Sequence, residues 1–449
     1  MALRFKSNNG SARHSAKLMY NKFPLILGAA LMTATPVGAQ RRGDEPIAVP
    51  RTIKQGIDFV YVDPKMSTAG ITQRRQRPQN WLKRLLGSNT APAKGQRVSN
   101  PLFFELARGL QQYQMSWGRL PQVSIPAGPV LKPGSKGNRV NMLRARLGLP
   151  QSGGYDQSLA QAVMSYQRVH GLASADGIAG KGTIASLNRG ASHYAQRIAI
   201  NLERAYRLPQ TGTFDRYVVV DSGAAETYLF AGDRIVDKMR VVVGSVKTKT
   251  PMMAVLMRNA KANPYWNVPS ELIQSMTAAR VRKQGVSYMR EFHYEVLSDW
   301  SDSPREVDPK TVNWKQVAAG KSDIRVRQLP GPWNSMGNMK FEMPNDYGIY
   351  LHDTPHKELF EQDDRWVSNG CVRLQDYRRF ASWVFGYVPQ PASLLEQKFE
   401  LPRPVPVYMT YLTVAVSGNG VVFRPDPYGF DALAMPQMFG PSSRIASSL

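Results

Sequence analysis

The chain carries two linked stretches, IYLHDTP at residues 349–355 and SNGCVR at residues 368–373. The first has the composition of a strand, along which side chains alternate between the two faces, so Tyr350 and His352 should share one face. The second holds Cys371, the only cysteine among 449 residues. A histidine near a strand end and a unique thiol are the residue types of nucleophilic catalysis, in which a base takes the proton of the attacking thiol.

An amphipathic helix is predicted after the thiol. Its apolar residues recur at helical spacing and a glycine ends the pattern: Tyr377, Phe380, Ala381, Val384, Phe385 and Gly386. Cys371 is therefore expected just ahead of a helix N-terminus, where the partial positive charge, helped by Arg373 and Arg365, would favour the thiolate. Gly370 would leave room for a substrate, and neighbouring backbone amides could stabilise an oxyanion. A buried, inert cysteine is the alternative.

The two stretches, with further matches upstream, closely resemble the signature of the L,D-transpeptidases. The upstream matches lie at residues 241–244, 250–251, 263–269, 328–332 and 340–341. The resemblance implies that Cys371 is the nucleophile and His352 its base, and that no cofactor is required. Asn369 stands where many members carry histidine, a departure that leaves the nucleophile undisturbed.

The resemblance also implies a substrate. The donor would be a tetrapeptide stem of peptidoglycan, attacked at the carbonyl that joins the L-centre of its diaminopimelate to the terminal D-alanine, which then leaves. The acyl group could pass to an amine of another stem, to water, or to the N-terminus of an outer-membrane protein, and the sequence leaves these three acceptors open. Oxyanion stabilisation and substrate binding are assigned to Gly370, Asn369, Ser368, Arg373 and Tyr350.

A smaller domain of three short helices is predicted over residues 129–190, with Asp156 as an N-cap and Gly148 as a helix stop. This segment resembles the peptidoglycan-binding domain that accompanies many wall enzymes. The matching pieces are LKPGSKG at residues 131–137, HGL at 170–172 and DG at 176–177. A helical packing module without a ligand is the alternative.

The first 39 residues have the pattern of a signal peptide. Five basic residues precede an apolar run at residues 23–32, and a small-residue site ends at Ala39. The run is shorter than the roughly 20 residues that a membrane-spanning helix needs, and no later stretch is long enough. We therefore expect export to the periplasm with cleavage after Ala39, an uncleaved anchor being the alternative.

The chain is strongly basic. Its formal net charge is +25, and loss of the five basic residues of the signal segment would leave +20. Such a field favours polyanionic partners: anionic headgroups, nucleic acid, or a cell wall rich in carboxylates. Export and the lack of a nucleic-acid-binding motif argue against nucleic acid, so peptidoglycan is the expected partner.

The expected fold class is α+β, with a mostly β catalytic domain. Its predicted segments are a basic linker and helical scaffold at residues 40–128, a helical connector at 191–213, a catalytic domain at 214–425 and a C-terminal tail at 426–449. Within the catalytic domain, residues 264–332 are expected to form an irregular, partly helical capping insertion, since a long insertion beside a site often acts as a lid.

Other functional classes remain open on the residues alone. His352, Asp353, His356 and Cys371 are metal-ligating types, although no HExxH or paired-cysteine pattern accompanies them. A non-catalytic wall-binding protein is a second alternative, but it would have no need for His352 and Cys371 together. The two arginines near the thiol could equally form only surface ion pairs, which contribute little. The carboxylates available to them are Asp363, Asp364 and Asp376.

Overall fold

A computed structural model describes residues 56–63, 99–418 and 420–440. Its strands are β1 (Val60–Tyr61), β2 (Arg216–Asp221), β3 (Glu226–Ala231), β4 (Arg234–Gly244), β5 (Met253–Ala262), β6 (Trp266–Asn267), β7 (Tyr294–Leu297), β8 (Glu306–Val307), β9 (Arg325–Gln328), β10 (Met339–Glu342), β11 (Leu351–His352), β12 (Trp366–Ser368), β13 (Val372–Leu374), β14 (Gln397–Thr410), β15 (Val414–Ser417) and β16 (Gly420–Phe423).

Its α-helices are α1 (Pro101–Met115), α2 (Asn138–Arg146), α3 (Gln157–Val169), α4 (Lys181–Ala205), α5 (Ser270–Leu272), α6 (Ala278–Gln284), α7 (Ser287–Glu291), α8 (Trp314–Ala318), α9 (Tyr377–Phe385) and α10 (Phe430–Phe439). Shorter 3-10 or π turns lie at Trp117–Arg119, Ile273–Thr277, Pro309–Thr311 and Lys357–Glu361. The mixture of one dominant sheet with separate helices confirms the α+β class.

The main sheet runs in the order β1-β5-β10-β11-β13-β4-β3-β2-β14, and β12 pairs with β4. Because β14 pairs with both β2 and β5, the sheet closes on itself. Period-2 alternation divides its side chains between two hydrophobic cores. Helix α9 packs in the core that holds Val241, Leu351 and Val372, whereas α1 and α4 pack on the core of the opposite face.

The smaller domain consists of α2, α3 and the first half of α4 around its own core. The predicted helix cap and helix stop are confirmed. The Asp156 carboxylate accepts a hydrogen bond from Leu159 N, and Gly148 follows the end of α2 with a φ of +73°. The helical segment α4 is interrupted at Gly190, where φ is +81° and ψ is +162°, so it consists of two helices. The break lies at residue 190, where the predicted third helix ends and the predicted connector begins.

The segment 264–332, predicted to be a capping insertion, is more regular than expected. Its strands form a separate sheet in the order β6-β9-β7-β8, which shares a hydrophobic core with α6, α7 and α8. The prediction of an irregular, partly helical segment is therefore wrong in part. Strands of two to four residues are too short to display an alternating pattern, so the sequence carries little signal for them.

Two segments expected to lie outside the domains pack against them. Within the predicted linker, β1 pairs in parallel with β5, and within the predicted tail, α10 shares a small core with α4 and Ile57. The remaining linker residues 40–55 and 64–98, the tail residues 441–449 and the predicted signal segment 1–39 lie outside the described residues. Across the described ranges, no helix is long and apolar enough to cross a membrane.

Candidate active site

The register of two short strands brings the predicted site residues together. Strand β11 pairs in parallel with β13, so that Leu351 lies opposite Val372 and His352 opposite Arg373. Leu351 and Val372 are completely buried in the core. Because side chains alternate along a strand, His352 and Arg373 point to the other face of the sheet.

Cys371 and Tyr350 lie one residue earlier on the two strands. The Val372 N–H donates to the Tyr350 carbonyl at 2.9 Å, which extends the ladder to this point. Alternation therefore places Cys371 and Tyr350 on the same face as His352. Lys340, the register partner of His352, has its Nζ 4.3 Å from the centre of the Tyr350 ring, which agrees with the predicted sharing of one face by Tyr350 and His352.

The thiol does not lie at a helix N-terminus. Strand β13 follows Cys371 directly, and α9 begins only at Tyr377, with Asp376 as its N-cap accepting from Arg379 N. The predicted helix exists, but the residues before it are held by ladder pairing with β11 and β4. Since the field of a helix terminus falls off within its first turn, the predicted helix contribution to thiolate formation is wrong.

Cys371 is half-buried, and its Sγ donates to the Gly348 carbonyl at 3.5 Å. Desolvation raises the pKa of the Cys371 thiol. The Tyr350 backbone N–H and the charges of Lys340 and Arg373 act in the opposite direction but leave the pKa above its ordinary value. Cys371 is therefore a neutral thiol at neutral pH.

The His352 imidazole is buried and held in one tautomer. Its Nδ1 lies 2.5 Å from the Asp353 carbonyl oxygen, which can only accept, so Nδ1 carries the hydrogen and Nε2 is left with a free lone pair. Burial lowers the pKa of His352 to about 3, and the Arg373 charge acts in the same direction. The imidazole is thus neutral at physiological pH and able to accept a proton at Nε2.

Ser368 and Gly370 shape the turn before the thiol. The buried Ser368 hydroxyl donates to the Cys371 carbonyl at 2.6 Å and accepts from Gly370 N at 3.1 Å. Gly370 has a φ of +112°, and a Cβ at this position would lie 3.0 Å from Ile349 Cδ1. The turn therefore requires glycine for its backbone conformation, and Ser368 acts on the backbone of the turn.

Two threonines that sequence reasoning did not identify as site residues hold the same turn. The Thr250 hydroxyl donates to the Gly370 carbonyl at 2.7 Å and accepts from Gly244 N at 2.9 Å. The Thr248 hydroxyl donates to the Ser368 carbonyl at 2.9 Å. The Thr-Pro pair at residues 250–251 was a point of family resemblance, and it was the signal that could have revealed this role.

The remaining predicted residues have different surroundings. Asn369 is exposed. Arg365 donates to the backbone carbonyls of Gln362 and Ala224, so the suggested surface ion pair is not what holds it. Arg373 is half-buried, and its Nε is buried without a hydrogen-bond partner in the described part of the chain.

The metal-ligating types do not converge. Residues 56–63, 99–418 and 420–440 contain no cluster of three or more His, Cys, Asp or Glu side chains that could hold an ion. Asp353 accepts from the Asn338 backbone and from Lys357. His356 is exposed beside Glu358.

Two protein families match parts of the chain. Residues 215–397 match the family described as "L,D-transpeptidase catalytic domain", and residues 141–187 match that described as "Putative peptidoglycan binding domain". A relative from Haemophilus influenzae named "Putative L,D-transpeptidase" is 30% identical over 248 residues, which are 54% of this chain and 49% of the relative. The chain thus spans about half the length of that relative.

Solved structures of similar proteins include two L,D-transpeptidases. That from Mycobacterium smegmatis is 15% identical, with 43% of this chain and 58% of the other covered and a TM-score of 0.23. That from Stackebrandtia nassauensis is 14% identical, with 63% and 97% covered and a TM-score of 0.21. Residues 215–397 therefore form a catalytic domain of the L,D-transpeptidase family, and a domain of the peptidoglycan-binding type precedes it at residues 141–187.

Proposed function

We propose that the protein is an exported enzyme that forms peptidoglycan cross-links through an acyl-enzyme on Cys371. The observation that carries the proposal is the placement of Cys371 and His352 on one face of adjacent strands, with His352 Nε2 free to accept a proton. A base must reach the proton that it removes, directly or through one water, and the pairing of His352 with Arg373 puts Cys371 at the diagonal position of the same face. The domain match supplies the reaction class.

Acylation begins when the Cys371 thiol gives its proton to His352 Nε2 and the sulfur attacks the carbonyl between diaminopimelate and D-alanine. Negative charge develops on that carbonyl oxygen and requires a donor. Since the Gly370 N–H is directed to Ser368, we assign this role to the Cys371 N–H. The C–N bond then breaks, and His352 returns the proton to the leaving amine of D-alanine.

Deacylation completes the cycle. An amine of a neighbouring stem attacks the thioester, His352 takes a proton from that amine, and the Cys371 sulfur leaves with the proton as a thiol. The same thioester would also react with water or with the N-terminus of an outer-membrane protein. The domain of the peptidoglycan-binding type and the net charge of +20 that remains after loss of the five basic residues of the signal segment support retention of the enzyme on an anionic wall.

The nucleophile is tested by replacing Cys371→Ala. Carbapenem-type β-lactams should form a covalent adduct with the wild type and with the surface variant Ser417→Ala, but not with Cys371→Ala. Intact-protein mass spectrometry measures the adduct, and mass spectrometry of digested cell wall, with and without the enzyme, identifies the acyl acceptor. An unchanged adduct in Cys371→Ala would refute the assignment.

A further inference from the structure

Two cationic side chains flank His352 in one row of the sheet. Lys340 on β10 is the register partner of His352, and His352 is in turn the partner of Arg373 on β13. Register partners point to the same face, and adjacent strands lie about 4.8 Å apart. Lys340, His352 and Arg373 therefore occupy consecutive positions across the face that carries the thiol.

The two cations differ in how their charges are compensated. Lys340 is only 8% exposed, and its Nζ lies 3.1 Å from a Glu342 carboxylate oxygen and 4.3 Å from the centre of the Tyr350 ring. Arg373 forms no ion pair with any carboxylate of the described ranges, and its buried Nε has no hydrogen-bond partner there. A buried polar atom without a partner is unfavourable, so Arg373 is the group that lacks an anion.

The chemistry of the leaving group places an anion at this point. In the proposed reaction His352 must come within about 3 Å of the amine nitrogen of the leaving residue in order to protonate it. When that residue is the last of the stem, its carboxylate is two bonds from the same nitrogen. The carboxylate must then lie beside His352, where the row provides a cation on either side.

We propose that Arg373, with Lys340 as the second cation, binds the terminal carboxylate of the donor stem and makes the enzyme select donors that end in a free carboxylate. This inference rests on the proposed function. The planar guanidinium matches a carboxylate with two parallel hydrogen bonds, which a lysine ammonium does not reproduce. Binding would also give the Arg373 Nε side of the guanidinium the partner that it lacks.

A second carboxylate of the stem has the same chemistry. Diaminopimelate carries one on its side chain, at the D-centre, and the experiment must separate the two. We therefore compare three synthetic donors: the tetrapeptide with both carboxylates free, the tetrapeptide with a C-terminal amide, and the tetrapeptide amidated only at the diaminopimelate D-centre. Turnover is followed by mass spectrometry as kcat/KM for formation of the cross-linked product.

We expect the wild type to prefer the free acid over the C-terminal amide by about tenfold or more, the range of a charge-assisted hydrogen bond. Amidation at the D-centre should change kcat/KM much less. Arg373→Gln should lower kcat/KM for the free acid by about tenfold more than it lowers kcat/KM for the C-terminal amide, so that the preference between the two donors is lost. Arg373→Lys should recover part of the preference, and Lys340→Gln should reduce it.

The control is Lys398→Gln. This change removes the same charge from an exposed lysine that pairs with Glu400 and whose register partner is Lys261, farther along the sheet from His352. The Lys398→Gln variant should prefer the free acid over the C-terminal amide as strongly as the wild type does. If the wild type uses the free acid and the C-terminal amide equally, the inference is overturned and the proposed function stands. The same holds if the wild type discriminates only against the donor that is amidated at the diaminopimelate D-centre. Failure of the wild type to turn over any donor would remove both.

Discussion

At the scale of single residues, two cations act on both members of the proposed catalytic pair, Cys371 and His352. The charges of Arg373 and Lys340 favour a thiolate at Cys371, but they disfavour an imidazolium at His352. A resting thiolate–imidazolium pair is therefore opposed on the imidazole side and by burial on the thiol side. The proton should therefore move to His352 only as the sulfur attacks. Under the proposed binding of the donor carboxylate, that carboxylate would lie between the cations and offset their charge.

Asn369 tests whether the oxyanion is stabilised by a side chain. Because this side chain is exposed and the Cys371 N–H is available on the backbone, Asn369→Ala should keep more than about a tenth of the acylation rate, whereas losing a true oxyanion donor costs about a hundredfold. Asn369→His should also be active. Stopped-flow acylation by a carbapenem measures both rates.

Gly370→Ala provides the contrast at the neighbouring position. An added Cβ is strained at a φ of +112° and meets Ile349, so acylation should fall well below that of Asn369→Ala. A hundredfold fall in Asn369→Ala, with its circular dichroism unchanged, would instead make the asparagine amide the oxyanion donor.

The sequence predicted which site residues share a face, because alternation along a strand is a local rule. It did not predict how the turn is held. Ser368 bonds the backbone on either side of Gly370, and Thr250 reaches the same turn from a remote strand. Such contacts depend on the relative placement of distant strands, which no local pattern encodes.

At the scale of elements, helix periodicity was a better guide than segment polarity. The helices at 101–115, 157–169 and 377–385 follow their apolar stripes. The two-residue strand β1 lies in the predicted linker, whose sequence is polar and basic. Helix α10 lies in the predicted C-terminal tail. Both are fixed by long-range contacts, β1 with β5 and α10 with α4.

Helix α10 is held to α4 by one buried carboxylate. Asp431 accepts from Arg204 at 2.6 Å, from Arg197 at 3.0 Å and from Thr413 at 2.6 Å. Asp431→Asn removes the negative charge and leaves the fully buried Arg204 uncompensated. We expect the free energy of unfolding to fall by about 3 kcal/mol at pH 7, as measured by urea denaturation.

The pH dependence of this loss has a defined sign. Burial alone would raise the pKa of Asp431, but Arg204 and Arg197 hold it below its ordinary value. Stability from a depressed pKa is present above the unfolded-state value and is lost as pH falls through the folded-state value. The difference in the free energy of unfolding between wild type and Asp431→Asn should therefore shrink below about pH 4.

Asp302→Asn, at an exposed aspartate, serves as the control. Equal stabilities of Asp302→Asn and Asp431→Asn at pH 7 would contradict the role assigned to Asp431.

At the scale of the whole molecule, the two domains meet around His170. Its Nε2 accepts from the Tyr113 hydroxyl on α1 at 3.0 Å, and its ring stacks on Phe423 of β16 with centroids 5.5 Å apart. Burial lowers the pKa of His170 to about 3, so it is a neutral packing residue. The smaller domain is thus docked on the catalytic domain through a continuous aromatic contact, which would fix the distance between a wall-bound domain and the thiol.

Gly171 tests this docking. Its φ is +63°, and a Cβ would lie 2.1 Å from the Phe423 carbonyl oxygen, so Gly171→Ala must separate the domains or strain the backbone. We expect a loss of about 1–3 kcal/mol in the free energy of unfolding and faster proteolysis between the domains. Gly182→Ala, where a Cβ meets nothing within 4 Å, should behave as the wild type.

Acylation by a small carbapenem should survive in both variants. The turn that carries Cys371 is held by β11, β13 and the hydroxyls of Thr248 and Thr250, which do not belong to the domain interface. If Gly171→Ala melts and is cleaved like Gly182→Ala, the domains are not rigidly docked, and if it loses acylation, the interface supports the active site itself.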